Sequence, residues 1–372
     1  MGHQHGITRQ GLTRNPYDGF FDRHNYTRSP VLVQWMATLD CPLSCPHCLC
    51  GGAEGGEELT TAEAEALLDE IASLDVHELL LTGGEPLARR DLPQVIDMMR
   101  ERSIRWSLNT AVFPDRASVR AMQAHPPAFV AVSLDGPEAF HDGFRGRKGA
   151  FGEAIAALEL YAELTDGHAA AGTTVNALNF PLLEQTLCIV MNSRAASWGL
   201  HLTFPEGRAR GERGLLLSRR QLRRLLSFVE AKRRVLPVVL ADEIGFCGEW
   251  EPAVRSAPFF CGAGRAQCVV LADGEVVPCS TVDGSESAGN VRNGSLEEIW
   301  HRGFARIRND EPRGKCRDCE YLPACSGGCW LQRRHGEHCF RDVWGSWKRI
   351  AAPAGIATCL GLAACGGHPA DV

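Results

Sequence analysis

Three things are missing from this chain of 372 residues. There is no surplus of positive charge: 39 Lys and Arg stand against 45 Asp and Glu, a net charge of −6, with a pI near 6.1. That removes the electrostatic case for a nucleic-acid partner. The N-terminus lacks the charged start and apolar core of a secretory signal, so an exported chain stapled by disulfides is not expected. No membrane span is expected either. The apolar run of the tail, residues 350–362, falls short of the about 20 residues that a bilayer takes.

What is present is cysteine. There are 16, in a chain 44% hydrophobic and 23% charged, the balance of an ordinary globular protein with a sizeable core. Many fall in C-x2-C and C-x3-C spacings, which favour metal over disulfide. A reduced, cytoplasmic, oxygen-sensitive protein is the expectation.

The centre of the sequence is Cys41-Pro-Leu-Ser-Cys45-Pro-His-Cys48. It follows an apolar run, residues 31–39, that reads as a buried strand. Three thiolates at a strand's end can hold one small cluster. A [4Fe–4S] cube usually takes four Cys, so three leave one iron open to a ligand that is not protein. A second motif follows, Leu79-Leu-Leu-Thr-Gly83-Gly84-Glu85-Pro86. A zinc site of Cys45, Cys48 and Cys50 is the competing reading, and it leaves the Gly-Gly-Glu-Pro turn unexplained.

These two motifs resemble the radical S-adenosylmethionine (AdoMet) superfamily, in which an aromatic residue or His, here His47, precedes the third Cys. The resemblance implies that the open iron chelates the methionine group of AdoMet and that Gly83, Gly84, Glu85 and Pro86 bind its amine. One electron then releases a 5′-deoxyadenosyl radical that takes a hydrogen atom from substrate. Asn109, Ser133, Asp135 and Asn176, at the ends of later strands, are further candidates for AdoMet contact or for loop caps. No second catalytic group is marked in the sequence.

The pattern between residues 31 and 235 alternates strand and helix six times, which predicts parallel βαβ units. The fold class is therefore α/β, a partial (β/α)6 barrel with right-handed crossovers. Both motif loops then lie at the C-terminal end of the sheet, where barrel sites form. Residues 1–30 read as a polar arm, with His3 and His5 in a solvated tail. Residues 218–235 read as a basic helix, a solvated face or a dock for an acidic peptide.

After a linker, 236–260, the composition changes. Cys261, Cys279, Cys316, Cys319, Cys325, Cys329 and Cys339 form one series, with Asp273-Gly274 as a hairpin turn. The series resembles the SPASM extension of radical AdoMet enzymes and sets a second domain at 261–345. The resemblance implies two auxiliary [4Fe–4S] clusters. Cys261, Cys279 and Cys329 would hold one, with Cys268, Cys247 or an open iron as its fourth position. Cys316, Cys319, Cys325 and Cys339 would hold the other. A pair of zinc sites also suits such a series. Cys50 stays unassigned, and Cys188 reads as a small core residue.

Enzymes of this kind suggest three substrates: a ribosomally made peptide, a sulfatase Cys or Ser converted to formylglycine, or a tetrapyrrole side chain. Sulfatase-maturing relatives carry an Asp base after the cysteine matching Cys279. Ser280 and Thr281 stand here, so that route weakens and the peptide leads. An electron-transfer or zinc-binding structural protein is the non-enzyme alternative. A flavodoxin or ferredoxin is the expected electron donor. The short arm leaves room for no leader-binding domain, so a separate recognition protein or direct docking is expected. The tail, 346–372, copies a lipoprotein signal in the wrong place, ending Leu362-Ala-Ala-Cys365.

Overall fold

The computed structural model describes residues 28–51, 56–257, 259–281, 284–309, 314–334 and 339. The N-terminal arm with His3 and His5, and the 346–372 tail, lie outside the described residues.

Six strands and their helices follow the expected alternation. They are β1 (Leu32–Thr38), β2 (Glu78–Gly83), β3 (Trp106–Thr110), β4 (Phe129–Ser133), β5 (Ala169–Val175) and β6 (Ser197–Leu202). All five successive pairings are parallel. The helices are α1 (Thr61–Ser73), α2 (Leu92–Glu101), α3 (Arg116–Ala124), α4 (Glu138–Arg145), α5 (Ala150–Leu164), α6 (Leu183–Asn192) and α7 (Arg219–Lys232). Local chemistry starts several of them. Thr60 and Glu63 close a capping box on α1, and Ser218 and Gln221 close one on α7. Gly146, at φ 70°, ends α4 in the left-handed region.

The sheet runs on past the six strands. Its order is β10 (Gly289–Asn290), β9 (Glu275–Val277), β8 (Gln267–Val270), β1, β2, β3, β4, β5, β6, β7 (Val238–Leu240). The stretch expected as a linker contains β7 (Val238–Leu240), parallel to β6. At the other edge β8 (Gln267–Val270) is parallel to β1 and antiparallel to β9 (Glu275–Val277). The turn between them has Gly274 at φ 87°. The SPASM-like segment thus extends the barrel's own sheet. Arg292 ties it to α1 by bonds to Glu63 and to the carbonyls of Glu57 and Glu58.

Strand periodicity divides the sheet into two faces. Val33, Leu79, Trp106 and Trp35, Leu81, Leu108 align across β1–β3. Val130 with Ala169, and Ala171 with Trp198, continue that buried row. The helices cover this face with Leu67, Leu68, Ile96, Met99, Leu158 and Val229. Each such buried side chain contributes about 1.5–3 kcal/mol. The other face carries small and polar residues. Asn109 aligns with Ala131, Ser133 with Gly172, and Thr174 with His201. That polar face is where the motif loops open.

One expectation fails. Cys188 is exposed on α6. The helix buries Leu183, Thr186, Leu187 and Val190, the i, i+3, i+4, i+7 stripe. Cys188 lies one step round the helix from that stripe.

Candidate functional site

The first cysteine loop is clamped from three sides. Thr38 and Asp40 carbonyls accept bonds from Gly84 N (2.8 Å) and Glu85 N (2.8 Å). The Ser44 N–H donates to Arg145 O at 3.0 Å, and Arg208 N–H to Cys48 O at 3.0 Å. Glycine is required where the two motif loops meet. A Cβ on Gly84 would lie 2.4 Å from the Leu39 carbonyl oxygen, and one on Gly83 equally close to that of Thr38.

Within this clamp Cys41, Cys45 and Cys48 influence one another. Burial pushes the Cys41 thiol up, and Glu85, Cys45 and Cys48 push it further against a hydrogen bond from Leu43. Burial also raises Cys45, opposed by Arg145. Cys48 falls to about 6, mainly through the Cys50 thiol that donates to it, and the Cys50 thiol is held protonated by that pairing. Cys50 also donates to Gly83 O at 3.3 Å. His47 stacks on Phe144 with ring centroids 4.8 Å apart. Burial lowers it to about 4, so the ring is neutral, and its Nδ1 has no partner.

Glu85 is a strut. Its buried carboxylate accepts from Thr110 Oγ1 (2.7 Å), Ala111 N (2.8 Å) and Leu87 N (3.2 Å). Burial raises it to about 7 despite these bonds. These bonds fasten the Gly-Gly-Glu-Pro loop to the end of β3, and Pro86 starts the turn that follows.

The other strand-end candidates divide. Asn109 is exposed on the polar face, and Ser133 is half-buried beside it. Asn176 is fully buried as a loop cap: its amide donates to Thr174 O, and its oxygen accepts from Leu178 N and Asn179 N. Asp135 is also fully buried, and its Oδ2 meets Arg145 Nη2 at 2.6 Å. Arg145 Nη1 in turn lies 3.6 Å from Cys45 Sγ. Burial alone would raise Asp135, but Arg145 and two histidines hold it low. Arg145 is a site residue that the sequence reading missed. Its only signal is its place in the loop and helix after β4.

The later cysteines fall into two groups. Cys261 and Cys329 share a hydrogen bond that lowers Cys261 to about 6, and Cys279 acts on Cys329 as well. Trp330 N–H donates to Cys261 Sγ at 3.4 Å. Burial and then the charges of Cys339, Cys316 and Cys319 push Cys325 up to about 12. Cys268 stands apart. It pairs with Val33 on the helix-covered face, its charged neighbour is Arg308, and burial raises it to about 12. Cys247 is buried against Arg255 at 3.6 Å and the Gly245 carbonyl. Neither acts on the Cys261 group in the way that Cys279 does.

Among the described residues no three ligating side chains converge at the spacing of a single ion. All 14 described cysteines are free thiols. Three thiols on one clamped loop, and two further thiol groups, make a donor set that fits iron–sulfur clusters.

The radical SAM superfamily profile matches residues 36–181, and an iron–sulfur cluster-binding domain of the SPASM type matches residues 261–320. The AdoMet-dependent heme synthase of Methanosarcina barkeri is 29% identical over 330 residues, spanning 81% of this chain and 91% of that protein. Mycofactocin maturase MftC of Mycolicibacterium smegmatis is 28% identical over 317 residues, spanning 81% of this chain and 78% of that one. The fold matches Streptococcus suis SuiB bound to S-adenosylmethionine with a TM-score of 0.67 at 16% identity, over 85% of this chain and 77% of that one. SuiB bound to precursor peptide SuiA gives a TM-score of 0.68 at 17% identity, over 85% and 75%. The chain belongs to the radical SAM superfamily and carries a SPASM domain. It is an enzyme of that class, with [4Fe–4S] clusters and AdoMet as its cofactors. Among the described residues no helix is long and apolar enough to cross a membrane.

Proposed function

We propose that this enzyme oxidises a ribosomally made peptide by removing hydrogen, forming a crosslink or a related bond. One observation carries the choice of substrate. The strand positions of the polar face hold Gln34, Thr82, Ser107, Asn109, Ser133, Thr174 and His201 and no Lys or Arg. Asp242 and Glu243 add negative charge at the end of β7. Such a face disfavours a porphyrin bearing several carboxylates and suits the amides and side chains of a peptide.

Cys41, Cys45 and Cys48 would hold the radical-generating cluster. The Gly83–Pro86 loop, His47, Asn109 and Ser133 would surround AdoMet, with Asp135 acting through Arg145. Cys261, Cys279 and Cys329 would hold one auxiliary cluster, and Cys316, Cys319, Cys325 and Cys339 the other. When bound, the first cluster and AdoMet supply a 5′-deoxyadenosyl radical. The chain's part is to position a substrate C–H bond and exclude water.

An acidic flavodoxin or ferredoxin would deliver electrons near Cys41, which is exposed. A surface cavity of 590 Å³ lined by Pro42, Phe113 and Arg147 adjoins it. The free thiols fit a reducing cytoplasm. A separate recognition protein could present the peptide, or α7 could dock it directly.

The second reading is tetrapyrrole modification, favoured by the likeness to a heme synthase. The test offers the reduced, iron-loaded enzyme either candidate precursor peptides from the neighbouring short reading frames or an iron porphyrin with propionate groups. Release of 5′-deoxyadenosine stimulated by a peptide supports the first reading. Stimulation by the porphyrin alone overturns it.

A further inference from the structure

The polar face holds a titratable pair that neither cysteine motif predicts. His201, on β6, aligns with Thr174 on β5. Its side chain is half-exposed to the site. Its Nδ1 meets Glu243 Oε1 at 2.8 Å. Glu243 comes from the turn after β7 and is fixed twice more. Its Oε1 accepts from Leu202 N at 3.3 Å, and its backbone oxygen accepts from Gln332 Nε2 at 2.7 Å. Gln332 lies three residues beyond Cys329, so the SPASM segment itself holds the turn in place.

The pair also sits between the two redox regions. On one side the Thr174 N–H donates to Asp135 Oδ1 at 3.1 Å, and Asp135 leads through Arg145 to Cys45. On the other side the Glu243 carboxylate acts on the Cys279 thiol. With Nδ1–H given to Glu243, the neutral imidazole presents Nε2 as an acceptor. Gly199, two residues earlier on the same face, lies beside the ring: a Cβ there would touch Nε2 at 3.6 Å.

We infer that His201 is the proton acceptor of the oxidation, with Glu243 as its positioning residue. This rests on the oxidative reading above. The substrate loses one hydrogen atom to the 5′-deoxyadenosyl radical, one electron to an iron–sulfur acceptor and one proton to His201 Nε2. The two hydrogens removed are then fully balanced. Ser280 follows Cys279 and carries no basic group, and His201 offers a base from β6, near the other end of the sheet. Three carboxylates act on the imidazole: Glu243, in contact with it, and Asp135 and Asp242 through their charge. Burial alone would lower its pKa, but these charges outweigh it and the net shift is upward.

The test uses the full iron-loaded chain and reads oxidised product per 5′-deoxyadenosine formed. His201→Gln and His201→Ala should lower that ratio by about 100-fold or more, with iron content equal to the parent. Added imidazole should restore part of the loss in His201→Ala. Glu243→Gln should move the rising limb of the ratio's pH profile to lower pH, since it removes the charge that raises His201. An unchanged ratio in His201→Gln would overturn the assignment, as would absence of the pH shift. Turnover of an iron porphyrin and not of the peptide by the parent overturns the substrate reading alone, and the same ratio is then read on the porphyrin.

Discussion

The cysteine loop of the barrel and the last cysteine group of the SPASM segment, each proposed above to hold a cluster, are supported in opposite ways. Residues 41–48 are held by backbone bonds to Arg145 and Arg208, and Thr38 and Asp40 just before them by bonds from Gly84 and Glu85. Residues 314–334 offer only short turns of helix, Gly314–Cys316, Leu322–Cys325 and Trp330–Arg334. The thiols of Cys316, Cys319, Cys325 and Cys339 are only half-buried, and among the described residues no sheet ladder runs through this group. The first loop is therefore shaped by the protein, and under the proposed assignment the second would be shaped by its metal. Where ligand thiols must lose protons and no core supports the fold, cluster binding is folding free energy.

Four predictions probe this contrast, from the largest effect downward. Replacing Cys41, Cys45 and Cys48 together by Ala should abolish AdoMet cleavage and remove about a third of the iron, while hydrogen exchange in β1–β6 stays at parent levels. Cleavage surviving that change, or zinc in place of iron, would refute the cluster assignment. Removing all iron with a chelator should strip exchange protection from residues 314–334 and leave the barrel strands protected. Equal loss in both regions would show that the barrel loop is no more preformed than the other.

Arg145→Leu leaves Asp135 buried without its partner. Chemical denaturation should show a loss of about 3–5 kcal/mol, with a lower yield of the first cluster and a normal yield of the auxiliary ones. A loss below about 1 kcal/mol would mean that water reaches Asp135. The smallest effect is a pH dependence in iron-free protein. Glu85 sits at about 7 when folded, against an ordinary 4.5. The folded state thus holds the proton more tightly between these values. The stability from that group is full below about 4.5 and fades as pH rises through 7. The parent should gain on Glu85→Gln as pH falls across this window, and a flat difference would exclude a buried, titrating Glu85.

Much of the site was legible because it is local in sequence. The spacing of Cys41, Cys45 and Cys48, the Gly83–Pro86 turn and the Asp273-Gly274 hairpin each need only neighbouring residues, and six strands showed in their periodicity. What escaped was long-range. β7 has three residues, Val238–Leu240, too few for a pattern. The pairing of β8 with β1 joins residues more than 230 apart, and nothing in either strand encodes it. Arg145 and the His201–Glu243 pair gain meaning only when separate strand ends meet. Asn176 was readable either as a ligand contact or as a cap, and the hydrogen bonds to Leu178 and Asn179 decide for the cap.

The central claim, that a peptide is the molecule oxidised, is tested most directly by mass. The iron-loaded enzyme is incubated without oxygen with AdoMet, a reductant and candidate precursor peptides from the neighbouring short reading frames. The account predicts a peptide lighter by two hydrogens per modification, formed together with 5′-deoxyadenosine. A peptide of unchanged mass that takes up deuterium from solvent, or an unaltered peptide beside a converted porphyrin, would contradict it.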